Sequence, residues 1–234
     1  MAVGVDQAAG VALQVLPAVT AANLEDVAAA CRRYAGCLPA WGMHPMYIHV
    51  HHERHLEMLR QQIESWRPVA VGEIGLDLFV PGLDYATQAH FFVEQLKIAR
   101  EYDLPVLLHC RRAYDQILKQ LRKYKVRGGI AHAFSGSRQQ ADAFIQLGFK
   151  LGFGGAFTWG RATRLRALAA QLPLEAIVLE TDSPDIPPEW IGQARNEPGE
   201  LPRIASALAQ LRGISVEEVA RQTTRNARAV LGLD

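Results

Sequence analysis

The 234 residues are 49% hydrophobic and 21% charged, the composition of a globular chain long enough to bury one sizeable α/β core. A formal net charge of +1 excludes a strong overall field drawing the protein to nucleic acid or anionic membrane, so any such binding has to come from a local patch. No apolar run approaches the ~20 residues of a membrane span, the N-terminal residues lack a signal-peptide pattern, and the three cysteines, Cys31, Cys37 and Cys110, form no CxxC pair, as expected of reduced thiols in a cytoplasmic protein.

In chain order, short apolar runs alternate with longer helical segments. The runs are Val11–Pro17, Leu38–Met43, Val69–Ile74, Pro105–His109, Gly129–His132, Lys150–Gly154 and Ile177–Thr181. They show little polar alternation, as expected of strands buried on both faces. Helical spacing is evident in Asn23–Tyr34, Asp84–Tyr102, Ser137–Leu147, Arg161–Leu172 and Ser215–Leu231. Ser215 with Glu218 three residues later is a capping-box signature. The stretch Pro184–Pro202 reads as a long ordered loop, and the basic run Lys119–Arg127 as an ordinary helix surface.

Repeated βα units allow a barrel or an open doubly wound sheet. Polar residues gather at the ends of many strands, namely His44, Glu73, His109, His132 and Asp182, whereas an open sheet concentrates its site at one switch point. The expected fold is therefore a TIM (β/α)8-type barrel, a single domain over residues 1–234. Seven runs are visible where a closed barrel needs eight strands. Residues 1–9 are too short for a βα unit and read as the tail of a helix, so the first unit is expected to be missing, with a gap that exposes apolar edge.

Taken singly, each of these polar residues has a plain structural reading: Glu73 an ion-pair partner, His109 and His132 hydrogen-bonded core imidazoles, Asp182 a turn cap, His44 a loop stabiliser. Taken together, two imidazoles and two carboxylates at strand ends make Glu73, His109, His132 and Asp182 candidate ligands of a divalent metal. Arg111 is a candidate phosphate grip, since its planar fork suits phosphate oxygens. Gly152–Gly155 matches no phosphate-binding loop and reads as room for a crowded strand end. Arg195 and Asn196 stand in the loop after Asp182, where contact with substrate is open.

The segments VGEIGLD, LLHCRRA, HAFSGS, LETDSP and GMHP resemble, in order and spacing, the TatD-family metal-dependent hydrolases, a deoxyribonuclease-like branch of the amidohydrolase superfamily. The resemblance implies a two-metal centre (Mg2+, Mn2+ or Zn2+) and hydrolysis of phosphodiesters, often DNA. It implies Glu73 as the metal-bridging and catalytic carboxylate and His109 and His132 as ligands of one ion. Asp182 would be a ligand of the other ion and the residue that orients or deprotonates water, with His44 beside the substrate. Family members open with a strand bearing HxH, usually within DxHxH, and no such strand is visible here. The second ion is therefore expected to bind more weakly and turnover to be slow; a catalytically impaired barrel is the alternative. His49-Val50-His51, with His55, mimics the motif but reads as a solvated helix face.

Overall fold

The computed structural model describes residues 9–234. The reading of residues 1–9 falls outside them except for Ala9, which lies in a turn. Seven parallel strands form one sheet in sequence order: β1 (Gln14–Pro17), β2 (Cys37–Trp41), β3 (Ala70–Asp77), β4 (Val106–Arg111), β5 (Gly129–Ala131), β6 (Phe149–Phe153) and β7 (Ile177–Leu179). The sheet curls into an incomplete barrel of the TIM type. Among the described residues β1 pairs only with β2 and β7 only with β6, so the curl stays open between them. β1 is nowhere fully buried, and Leu13 beside it is 41% exposed, as expected of an uncovered edge.

The helices are α1 (Leu24–Arg33), α2 (Glu53–Trp66), α3 (Tyr85–Glu101), α4 (Tyr114–Tyr124), α5 (Arg138–Gln146), α6 (Thr163–Gln171), α7 (Leu201–Arg212) and α8 (Val216–Leu231). Side chains cap the starts of several of them. Asp84 accepts the Thr87 N–H at 2.7 Å, and Ser137 forms a reciprocal capping box with Gln140. Ser215 accepts the Glu218 N–H at 3.1 Å, which is half of the box expected there. The loop expected to run to Pro202 ends sooner, because Leu201 and Pro202 open α7, where proline lacks only an N–H that the first turn leaves unused. Among the described residues no helix is long and apolar enough to cross a membrane.

Two strand ends differ from expectation in a way that matters for the site. β3 runs on to Asp77, with a register shift between Val71 and Ile74, so Glu73 sits within the strand and not at its end. β4 runs on to Arg111, which is its last residue and does not follow it.

Side chains alternate across each strand with period two. One set (Val71, Leu108, Ala131, Leu151 and Ile177 among it) packs in the main core cluster with helix residues such as Phe92 and Phe144. The other set (Ala40, Ala70, Leu107, Ile130 and Val178) forms a small apolar floor inside the barrel, closed by Leu231 of α8. Two residues beyond Leu107 is His109, beyond Ile130 is His132, and beyond Val178 is Glu180. The inner face thus changes from apolar floor to polar mouth in one repeat. Gly152 of β6 belongs to that inner face, and a Cβ there would lie 2.0 Å from Glu180 Oε2. The glycine makes room for a carboxylate, as its reading as a crowding residue expected.

Gly152→Ala should therefore destabilise the fold by about 1–3 kcal/mol, measured as a lower urea midpoint. In a Glu180→Ala background most of that penalty should vanish. An equal penalty in both backgrounds would show that the backbone, and not the carboxylate, excludes the methyl group.

Candidate metal centre

Glu73 is 9% exposed and His44 is 6% exposed, at the C-terminal mouth of the strands. Three imidazoles meet one carboxylate oxygen there. His44 Nε2 is 2.9 Å, His109 Nδ1 3.0 Å and His132 Nε2 2.6 Å from Glu73 Oε1. Asp182 lies further out, its Oδ1 3.8 Å from His132 Nδ1 and its side chain 32% exposed.

Each imidazole is aimed by a second group. His44 Nδ1 accepts the Met46 N–H at 3.2 Å, so Nε2 carries the proton that His44 donates to Glu73. Behind it, His51 Nε2 donates to the His44 carbonyl at 2.9 Å. This corrects the solvated-face reading for His51, which is buried, edge-on to Phe91, because it holds the loop that carries His44, while His49 is exposed as expected. His55 turns away and pairs with His52 in the cap of α2. His109 Nε2 meets Asp77 Oδ2 at 2.9 Å, and Asp77 is wholly buried. His132 is aimed through its backbone. The next residue, Ala133, has φ +44° and donates its N–H to Glu180 Oε1 at 2.6 Å.

Burial alone would raise the pKa of Glu73. The charge of His132 and hydrogen bonds from His109, His132 and His44 outweigh it and hold the carboxyl well below its ordinary range. Burial would lower His132, but the Glu73 charge and hydrogen bond, with Glu180 and Asp182, push it up to about 10. His109 is likewise raised: burial opposes, but Asp77 and Glu73 win. Asp77 falls to about 2, since its bonds to His109 and to two backbone N–H groups overcome burial. Glu180 is raised to about 7, by burial first, with Asp182 and Glu73 adding repulsion against the opposing His132 charge. Asp182 is raised by burial and by Glu73 despite His132.

The residues fit a metal ion. His44, Glu73 and His109 converge as one potential ligand group. His132 Nε2 is buried and lies 2.6 Å from Glu73 Oε1, so a third imidazole nitrogen is held at the oxygen that faces His44 and His109. His109 presents one nitrogen to the cluster and the other to a carboxylate, the usual support of a metal-binding imidazole.

The four residues expected as ligands thus lie close together, and His44, expected beside the substrate, meets the same Glu73 oxygen as His109 and His132. Arg111 is exposed, its guanidinium 3.8 Å from the centroid of the Phe79 ring, and Arg112 stands at 4.6 Å from the same ring. Asn196 is 1% exposed and donates to the carbonyls of Thr181, Asp185 and Ile186, so it braces the Asp182 turn, while Arg195 is exposed. Asp77 and Glu180 were missed from sequence. Counting by twos from Val178 reaches Glu180; Asp77 gave only its place in GLD. Gln88 and Gln95 were missed as well. These buried α3 residues bond both backbone groups of Asp77 and Met43 and so fix the ends of β3 and β2.

Comparison with known proteins agrees. The family described as TatD related DNase matches residues 3–232. The uncharacterized metal-dependent hydrolase YjjV of Escherichia coli K12 is 41% identical over 222 residues, 93% of this chain and 85% of that one. The 3'-5' ssDNA/RNA exonuclease TatD of Erwinia amylovora is 32% identical over 236 residues, 96% of this chain and 90% of that one. The crystal structure of YjjV superposes with a TM-score of 0.94 at 39% identity, covering 98% of this chain and 90% of that one.

The pKa shifts set a pH window for the metal-free protein. His132 is raised from 6.5 to about 10, so its stabilising contribution is complete below about 6.5 and is lost as pH rises through 10. Denaturation midpoints of metal-stripped protein should fall across that window. Affinity for Zn2+ or Mn2+ should rise over it, with proton release seen by calorimetry in buffers of different ionisation enthalpy. An affinity independent of pH would mean that the imidazoles are already neutral.

Proposed function

The chain belongs to the TatD related DNase family and is a TatD-like metal-dependent hydrolase, and from that premise we propose that the bond it breaks is a phosphate ester of nucleic acid, DNA foremost. The observation that carries this reading is the convergence of three imidazoles on the buried Glu73 carboxylate at a strand-end mouth. The name of the Erwinia relative, an ssDNA/RNA exonuclease, supports nucleic acid as the substrate class.

Glu73, His109, His132 and Asp182 would hold the metal, with His44 beside them; the imidazole-rich set suits Zn2+ or Mn2+, and its carboxylates admit Mg2+. A divalent ion bound there supplies charge to a phosphoryl oxygen and lowers the pKa of a water. The chain's own residues do the rest. Asp182 is the partly exposed carboxylate, and it stands at the opening where its Oδ1 can take a proton from an attacking water. Burial raises its pKa, so it ionises later than an ordinary aspartate, and the rate should rise with pH through that ionisation. Asp77 keeps His109 from turning, and Glu180 keeps the His132 backbone in its tight turn. Arg111 faces solvent at the same rim, available to a phosphate.

Among the described residues the donors are unevenly shared. One ion would be held by Glu73, His109 and His132, whereas a second would have only Glu73 and Asp182. Calorimetric titration of metal-stripped protein should show one tight and one weaker site, and Glu73→Gln should abolish the tight one. Reloaded with Mn2+, Mg2+ or Zn2+, the protein should shorten labelled single-stranded DNA slowly, and excess chelator should stop it. Asp182→Asn should lower kcat at least ~100-fold, the low end of general-base contributions. A protein that binds its ion yet leaves DNA, RNA and a model phosphodiester intact would leave the phosphate-ester reading without support.

A further inference from the structure

The rim of the site carries an arrangement that the metal cluster does not need. Phe79 lies in the loop after β3 and is 43% exposed. A single exposed phenylalanine calls for no explanation. This one has two guanidinium groups against its ring, Arg111 at 3.8 Å and Arg112 at 4.6 Å. Both arginines are exposed, and neither forms an ion pair among the described residues. Two like charges are thus gathered on one surface ring with no carboxylate paired to them among the described residues, in a protein whose net charge is only +1.

The loop is also rigidly tied to the metal cluster. Asp77 Oδ1 accepts the N–H groups of Phe79 at 2.8 Å and Val80 at 2.9 Å, and the other oxygen of the same carboxylate holds His109. Leu78 N–H bonds the Arg111 carbonyl at 2.9 Å. One buried carboxylate therefore sets the spacing between the histidine that faces Glu73 and the Phe79 ring. Arg111 stands two residues beyond His109 on the same face of β4, about 6.6 Å along the strand. On the neighbouring flank, Tyr47 is 41% exposed with its ring centroid 6.0 Å from that of His44. His44 follows β2, Phe79 follows β3 and Arg111 ends β4, three strands adjacent in the sheet.

We infer that Phe79, Arg111 and Arg112 form a nucleotide platform that takes an unpaired base on its exposed plane and the adjoining phosphate on its guanidinium edges. Bases stack on aromatic rings and on arginine planes alike, and only a single strand offers a base free to do so. The platform rests on the nucleic-acid reading of the site and narrows it to single-stranded substrate. Its loop is held by the same carboxylate that aims His109, so a strand seated there is in register with the metal cluster.

The test is equilibrium binding in excess EDTA, where no cleavage occurs, by fluorescence anisotropy. The probes are a short fluorescein-labelled single-stranded DNA and an abasic strand of equal length and charge. Wild type should prefer the base-bearing strand. Phe79→Ala should weaken it about tenfold and leave binding of the abasic strand as it was, and Phe79→Trp should restore it. Arg111→Ala should weaken both strands and reduce the salt slope by about one. Because Phe79 is exposed, its loss should leave the thermal midpoint in place. The platform is overturned if Phe79→Ala binds the base-bearing strand like wild type, or weakens both strands equally. A failure of the nuclease reading looks different: normal binding in EDTA with no cleavage after metal is restored.

Discussion

An ionised carboxylate buried among apolar walls is held in place only by positive charge or by donors aimed at it; moving such a group out of water costs several kcal/mol otherwise. Glu73 meets that constraint with three imidazoles on a single oxygen, and much of the surrounding structure serves to aim them. His51 holds the loop of His44, Asp77 holds His109, and Glu180 holds the turn after His132. Without a metal, protons on His132 and His109 supply the balancing charge, which is why both pKa values are raised. A bound cation would supply that charge itself and displace those protons. The geometry that stores protons in the metal-free protein would thus offer the same nitrogens to a cation.

The barrel makes such a cluster possible because its inner face alternates with period two. One repeat fills the floor with Ala40, Ala70, Leu107, Ile130 and Val178 under the plug of Leu231, and the next brings polar groups to the mouth. Apolar floor and polar mouth sit within about two residues of each other, so the carboxylates lie close to low-dielectric packing. That proximity raises Glu180 to about 7 and Asp182 above an ordinary aspartate, while Glu73, with its three donors, moves the other way. Gly152 is part of the same device, since the volume its side chain would take holds the Glu180 carboxylate.

The rim follows a different rule from the interior. Its cations face solvent without carboxylate partners among the described residues, and their order comes from stacking on Phe79. Stacking preserves the full charge for an incoming anion, whereas an ion pair would have consumed it. A chain with a net charge of +1 can in this way present a local anion-binding surface.

By itself the sequence determined the βα alternation, the seven strands, the open curl and four of the residues round the centre, because each rests on local pattern: apolar runs, capping residues, and a polar residue at a strand end. Membership of the TatD family was legible for the same reason, since VGEIGLD, LLHCRRA, HAFSGS and LETDSP are contiguous segments. Only the tertiary structure decided that His44 meets the same Glu73 oxygen as His109 and His132, that His51 is buried behind it, and that Asp77 and Glu180 orient the imidazoles. Each of these depends on contacts between residues 7 to 47 positions apart, with no local periodicity to announce them. The two ends of the same strand pattern show the limit. Counting along β4 reaches His109, but its carboxylate partner is set by how far β3 runs beyond Glu73, and that length is fixed by pairing with β4 and by Gln88 of α3, not by the residues of β3 alone.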